Sequence, residues 1–207
     1  MQWSTRSESR LHIPEPEPCT KSPLRTLDFF FENTSHLEHP ALLDMGSACN
    51  SNIRFFGLKG FKIYVEDFLS DYLNSSVEDA PSEPKFLQNY PLSSFDGILC
   101  WDIFEAMKPE DAGILIERLF VLLKGGGFII ALFDAREELH AKHVMRHKII
   151  DQEMVIHEPA QEIPSTACHY KNREIMQLFC QFEVVKSYYH KNRLREYLFK
   201  KLSSTIS

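Results

Sequence analysis

Glycine is scarce in this chain, eight residues in 207, and no G-x-G-x-x-G occurs. That absence disfavours a nicotinamide-dependent dehydrogenase, because the second and third glycines of the pattern would fall on Ala48 and Ser51. The five cysteines (Cys19, Cys49, Cys100, Cys168, Cys180) include no C-x-x-C pair. The expectation is reduced thiols in a cytoplasmic protein rather than a disulfide framework. No apolar run approaches the length of a membrane span, and the N-terminus carries no apolar signal-peptide core, so a membrane protein is not expected. There is no internal repeat. A basic surplus is missing too: 23 Lys and Arg stand against 29 Asp and Glu, a net charge of −6. The stretch 186–207 holds six basic residues and one acid, so the acid surplus lies in the body of the chain. An acidic body argues against a nucleic-acid partner, and the basic tail reads as the solvated face of a terminal hairpin.

What is present is a globular composition, 43% hydrophobic and 25% charged, long enough for one domain with a sheet buried on both faces. Residues 1–23, with Ile13-Pro14-Glu15-Pro16-Glu17-Pro18, bury little apolar surface and read as a flexible leader before a domain over 24–207. Leu24, Leu27, Phe30 and Phe31 recur at helical spacing. Apolar runs then alternate with helical patterns. Strands are expected at Ala41–Leu43, Phe61–Val65, within Phe95–Asp102, where a continuous apolar run lies between acids, and at Phe128–Phe133, with a short helix around Ile53, Phe55 and Phe56. Pro109-Glu110-Asp111 opens a helix, with proline and acids suited to its first turn, and Lys124-Gly125-Gly126-Gly127 is expected to stop it with a left-handed glycine. Strand–helix alternation implies right-handed crossovers and a parallel sheet. After a helix at Asn172–Phe179, the runs Phe182–Tyr189 and Leu194–Leu202 are joined by four residues, which forces them antiparallel. In Phe68–Pro91, where a third strand is due, the sequence is polar and proline-broken.

The run Ala41-Leu42-Leu43-Asp44-Met45-Gly46-Ser47-Ala48-Cys49-Asn50-Ser51-Asn52 reads as a parallel strand handing the chain to a nucleotide-cradling loop. Gly46 permits a tight turn beneath a ligand, and Asn50 and Asn52 tolerate a left-handed backbone and add amide donors. Glu66 follows a helix and a strand later, where a ribose-binding acid is expected, with Asp67 taking that role if the strand is one residue longer. Asp102 ends the strand of Trp101 at the sheet edge where open α/β sheets bind ligands; it reads as a site residue or as a helix cap. Trp101 reads as core or as a stacking surface for a cofactor. His140, His143 and His147 share one helical face, an arrangement better explained by an exposed polar helix than by a metal site, since H-E-x-x-H is absent. That helix, with Arg136, Glu137 and Glu138, is a candidate lid, and Tyr170 and Arg173 are candidate acceptor contacts.

In order along the chain, Asp44-Met45-Gly46, Glu66-Asp67, Ser94-Phe95-Asp96-Gly97-Ile98-Leu99, Leu123-Lys124-Gly125-Gly126-Gly127 and Leu194-Arg195-Glu196-Tyr197-Leu198-Phe199 resemble the motifs of a class I S-adenosylmethionine-dependent methyltransferase, from Leu24 to Leu202. The family's D-x-G-x-G-x-G departs here to Ala48 and Asn50, and the adenine-contacting acid has only Asp79, Gln88 and Asn89 as candidates. The resemblance implies an α/β, Rossmann-like three-layer sandwich: a seven-stranded, mostly parallel sheet with an antiparallel C-terminal strand, its third strand missing or short. It implies S-adenosylmethionine as cofactor, held by Asp44, Gly46, Ser47, Asn50, Asn52, Glu66, Asp67 and Trp101, with Asp102 as the catalytic candidate and no metal. Because the sulfonium-bound methyl is already activated, such an enzyme mainly aligns reactants, and a base is needed only where the acceptor must lose a proton. The expected acceptor is a small molecule, with a protein acceptor behind it. The alternative is a catalytically silent methyltransferase-like scaffold acting through protein binding.

Overall fold

In the computed structural model, residues 19–75, 86–135, 143–162 and 168–203 are described. Asp79, Arg136, Glu137, Glu138 and His140, and residues 1–18 of the expected leader, lie outside them. The elements in chain order are β1 (Thr20–Pro23), α1 (Thr26–Thr34), β2 (Ala41–Asp44), α2 (Asn50–Leu58), β3 (Lys62–Val65), α3 (Phe68–Ser75) and β4 (Phe95–Cys100). They continue with α4 (Pro109–Leu122), β5 (Leu123–Asp134), β6 (His143–Ile149), β7 (Met154–Glu162), α5 (Asn172–Leu178), β8 (Glu183–Tyr189) and β9 (Leu194–Lys200).

The main sheet has the order β3-β2-β4-β5-β9-β8. It is parallel from β3 to β5 and turns antiparallel at β9 and again at β8. The expected seven strands are six: among the described residues no strand lies between α3 and β4, and β3 is the edge. A second sheet, β1-β7-β6, is antiparallel throughout and was not foreseen. It recruits Thr20–Pro23, the end of the stretch read as leader, because those residues pair with Met154–His157. It also overturns the helix expected through His143 and His147. His147 and Ile149 are buried while Arg146 is exposed and Lys148 half-buried, an alternation of period two that β7 stabilises as a strand.

Buried residues of α3, α4 and α5 pack on one face of the main sheet. The other face carries a phenylalanine-rich layer from α1, α2 and β3's approach (Phe30, Phe31, Phe56, Phe61), together with Ile149 and Val155 of the small sheet. Helix α4 begins as its sequence predicts, with Pro109 in the first turn followed by Glu110 and Asp111. It stops at Leu122, before the glycines are reached: Leu123 is extended and already belongs to β5. Gly125–Gly127 instead accommodate a register shift. Phe95 pairs with Leu123 and Gly97 with Phe128, so surplus β5 residues must be absorbed, and Gly126 does so at φ +82°.

Candidate functional site

Asp44 ends β2 at the carboxyl edge of the sheet and is 2% exposed. Its Oδ1 accepts the Gly46 backbone N–H at 3.1 Å and the Trp101 Nε1–H at 2.6 Å. Its Oδ2 accepts from Asn52 Nδ2 at 3.3 Å. One carboxylate therefore holds the turn after β2, the residue after β4 and the first turn of α2. Burial pushes its pKa up, and the Trp101, Gly46 and Asn52 hydrogen bonds partly oppose that shift. Gly46 is required by packing: a Cβ there would lie 2.6 Å from Trp101 Cδ1.

The next layer comes from the small sheet. Trp101 stacks on His147 with ring centroids 4.8 Å apart and planes 7° from parallel. His147 Nε2 lies 2.7 Å from Asp102 Oδ1; the carboxylate only accepts, so the imidazole N–H donates. His147 Nδ1 lies 2.8 Å from His157 Nδ1, and His157 Nε2 lies 2.5 Å from Ser22 Oγ. Cross-strand neighbours of β6, β7 and β1 thus form a buried polar chain ending on Asp102. The metal reading of the histidines loses its geometric premise, because His147 faces inward on a strand and is spent on hydrogen bonds. Among the described residues no group of three or more His, Cys, Asp or Glu is arranged to hold a metal ion.

Burial, reinforced by His147 alongside, lowers the His157 pKa from 6.5 to about 3; Asp102 opposes the shift and His190 adds to it. Between those values the unfolded chain binds a proton that the folded chain does not, so stability falls as pH falls through this window. At roughly 1.4 kcal/mol per pH unit, about 2 kcal/mol is expected to be lost between pH 6.5 and pH 5. Urea unfolding of wild type and His157→Gln at pH 7 and pH 5 checks this. The difference between the two proteins isolates the imidazole from Asp44, whose raised pKa works in the opposite direction. Equal pH dependence in both proteins would remove His157 as the cause.

Between the two sheets lies a cavity of about 170 Å³. Met45, Gly46 and Ser47 line it from the loop after β2, Asp67, Leu69 and Ser70 from the start of α3, Trp101, Asp102 and Ile103 from the end of β4, and Met145, Arg146 and Ala160 from the small sheet. Of the sequence-predicted residues, Gly46, Ser47, Asp67, Trp101 and Asp102 come together here, with Asp44 beneath them. Ser47 Oγ donates to Asp67 Oδ1 at 3.3 Å, linking the loop to the acid. Glu66 does not line the cavity; one of its carboxylate oxygens accepts the Tyr90 hydroxyl. Asn50 is exposed at the first residue of α2, and Asn52 is buried against β6, so neither lines the cavity. Gln88 and Asn89 are exposed, and Tyr170 and Arg173 lie outside the lining. His157, Ser22 and Met145 were missed, and His147 was placed on a helix face rather than on an inward-facing strand position. The alternation of Met145, His147 and Ile149 was the available signal, masked by helical spacing of the same histidines.

No protein-family model matches the chain, and no curated protein matches it. Solved structures do. An S-adenosylmethionine-dependent methyltransferase from Clostridium acetobutylicum is 15% identical, with a TM-score of 0.52 over 86% of this chain and 91% of that one. The 1,6-didemethyltoxoflavin-N1-methyltransferase of Burkholderia thailandensis, solved with S-adenosylhomocysteine, is 16% identical, with a TM-score of 0.50 over 87% of this chain and 78% of that one. The cyclase SpnF is 11% identical, with a TM-score of 0.52 over 87% and 81%. The chain therefore has the Rossmann-like α/β fold of class I S-adenosylmethionine-dependent methyltransferases. The presence of a cyclase among these structures means that the fold does not by itself dictate the reaction.

The residues suit that cofactor in kind: a glycine turn held by an acid, and a second carboxylate across the cavity. Space is tighter. About 170 Å³ falls short of the roughly 300–1,000 Å³ usual for ligand pockets, and Trp101, stacked on His147, lies close against Gly46.

Proposed function

We propose that this protein binds S-adenosylmethionine at the carboxyl edge of its main sheet and transfers the methyl group to a small-molecule acceptor. The observation that carries the reading is the Gly46 turn, fastened by Asp44 and facing Asp67 across one cavity at that edge. The cofactor supplies a methyl group already activated on sulfonium sulfur. The chain's part is to bind, align and exclude water. The backbone of Gly46 and Ser47 passes beneath the methionine portion. Asp67, with two acceptor oxygens, takes the ribose hydroxyls, the role expected of Glu66 or Asp67 from sequence. Asp102 has a second oxygen, Oδ2, which accepts the Met145 N–H at 3.3 Å. It orients the acceptor and takes its proton where one must leave. Five free thiols suit a reducing compartment, and among the described residues no helix is long and apolar enough to cross a membrane.

Calorimetry with S-adenosylhomocysteine tests this. Micromolar affinity is expected for wild type, and Asp67→Ala should weaken it about tenfold, the loss of one good hydrogen-bonding partner. The restricted cavity favours one competing reading, a silent scaffold of the same fold that works through a protein partner. Absence of binding to wild type and to variants with an opened cavity, at millimolar ligand, would select that reading.

A further inference from the structure

Asn52 supplies to β6 what a neighbouring strand would supply. In the order β1-β7-β6, strand β6 is an edge, so its outward backbone groups have no strand partner. The Asn52 side chain meets two of them: Nδ2 donates to the His147 carbonyl at 2.9 Å, and Oδ1 accepts the Ile149 N–H at 2.9 Å. The same amide nitrogen donates to Asp44 Oδ2 at 3.3 Å, and Asp44 in turn holds Gly46 and Trp101. A second fastening reaches the His147 side chain and Met145, two residues earlier on β6. Asp102 accepts from the His147 imidazole at 2.7 Å and from the Met145 N–H at 3.3 Å. The β6–β7 hairpin is thereby tied at residues 145, 147 and 149 to the loop after β2 and to the end of β4. With those ties made, the cavity holds about 170 Å³.

We propose that Asn52 is a positioning residue that couples the cofactor loop to the acceptor-side hairpin, so that the two sides of the site open and close as one unit. The proposal rests on the reading that this site takes S-adenosylmethionine. With Trp101 packed against Gly46 and His147 the cavity is below the usual size of a ligand pocket, so seating the cofactor displaces the indole. That displacement disturbs Asp44, and through Asn52 it frees the edge of β6. The hairpin, carrying Met145, Arg146 and Ala160, then becomes the wall against which an acceptor is enclosed. In thermodynamic terms the ties hold the site in a state that does not bind. Apparent affinity is the intrinsic affinity reduced by the fraction of open molecules.

The experiment uses S-adenosylhomocysteine with the full chain, by calorimetry and by amide hydrogen exchange. In wild type, ligand is expected to lower protection at the Ile149 and Met145 amides, the two N–H groups held by Asn52 and Asp102, while β4 amides stay protected. Asn52→Ala is expected to bind the ligand about tenfold more tightly than wild type. His147→Phe keeps an aromatic ring against Trp101 and loses the imidazole's hydrogen bonds to Asp102 and His157. It is expected to tighten binding in the same direction, and it carries the test if Asn52→Ala does not fold. Binding to wild type with unchanged protection at Ile149 and Met145 overturns the coupling and leaves the cofactor reading intact. So does equal or weaker binding by the folded variants. Failure of wild type and both variants to bind at millimolar ligand overturns the coupling and the cofactor reading together.

Discussion

Asp44→Ala is expected to destabilise the protein by about 3–5 kcal/mol and to abolish S-adenosylhomocysteine binding. The carboxylate is the shared acceptor for Gly46 N–H, Trp101 Nε1–H and Asn52 Nδ2–H, all converging on a side chain only 2% exposed. Removing it strands three donors, and each orphaned buried donor costs about 1–3 kcal/mol. Part of that cost is returned, because a buried carboxylate is itself unfavourable, as its raised pKa records. The balance remains strongly destabilising, since the returned part comes from one group and the loss from three. Asp44→Asn separates charge from geometry. Its carbonyl oxygen still accepts from Gly46 and Trp101, but its amide faces the Asn52 amide donor-to-donor. An intermediate loss is expected, with the glycine turn preserved. Urea unfolding of the three proteins, followed by calorimetry of those that fold, decides the matter. A loss under 1 kcal/mol in Asp44→Ala would show that the hub is not what holds the loop.

Glu196→Ala should cost about 3 kcal/mol while leaving ligand affinity unchanged. Glu196 sits on β9, fully buried, and has no atom among the cavity's walls. Its Oε1 accepts the backbone N–H of Thr26 at 2.5 Å, at the first residue of α1, and its Oε2 accepts from His190 Nε2 at 2.6 Å. The carboxylate thus satisfies an otherwise orphaned helix N–H, complements the positive end of α1, and pairs an imidazole at the start of the β8–β9 turn. The ties connect α1, which packs Leu27, Phe30 and Phe31 against the sheet, to the antiparallel end of that sheet. Truncation leaves both donors buried and unpaired. Glu196→Gln keeps one acceptor for Thr26 and should recover about half of the loss. The two replacements together, measured by urea unfolding, distinguish a lost acceptor from a lost methylene stem. If alanine and glutamine cost the same, the pairing is not the source of the stability.

Much of this architecture was legible because its determinants are local. The apolar runs of β2, β4 and β5 mark strands covered on both faces. Pro109-Glu110-Asp111 marks the start of α4, and the four residues between the runs of β8 and β9 allow only a hairpin. The acid–x–glycine of Asp44 and Gly46 marked the loop at the sheet edge. Other features were misread where two local patterns coincide. His143 and His147 fit a helical face and a strand face equally well, and β7 makes the choice by pairing with them. The Lys124–Gly127 run fits a helix stop, yet the parallel pairing of β4 with β5 uses those glycines within a strand. Glu66 and Asp67 are adjacent in sequence, yet Glu66 accepts the Tyr90 hydroxyl while Asp67 lines the cavity.

The alternation of strands and helices, the antiparallel end, and the acid and glycine of the loop follow from local sequence, because periodicity, turn length and backbone freedom act over a few residues. What those residues face depends on contacts across the fold. Trp101 reaches Asp44 across 57 positions, and Asn52 reaches His147 across 95. The first contact arises from the pairing of β2 with β4 and the second from where the small sheet meets α2, and no local pattern encodes either.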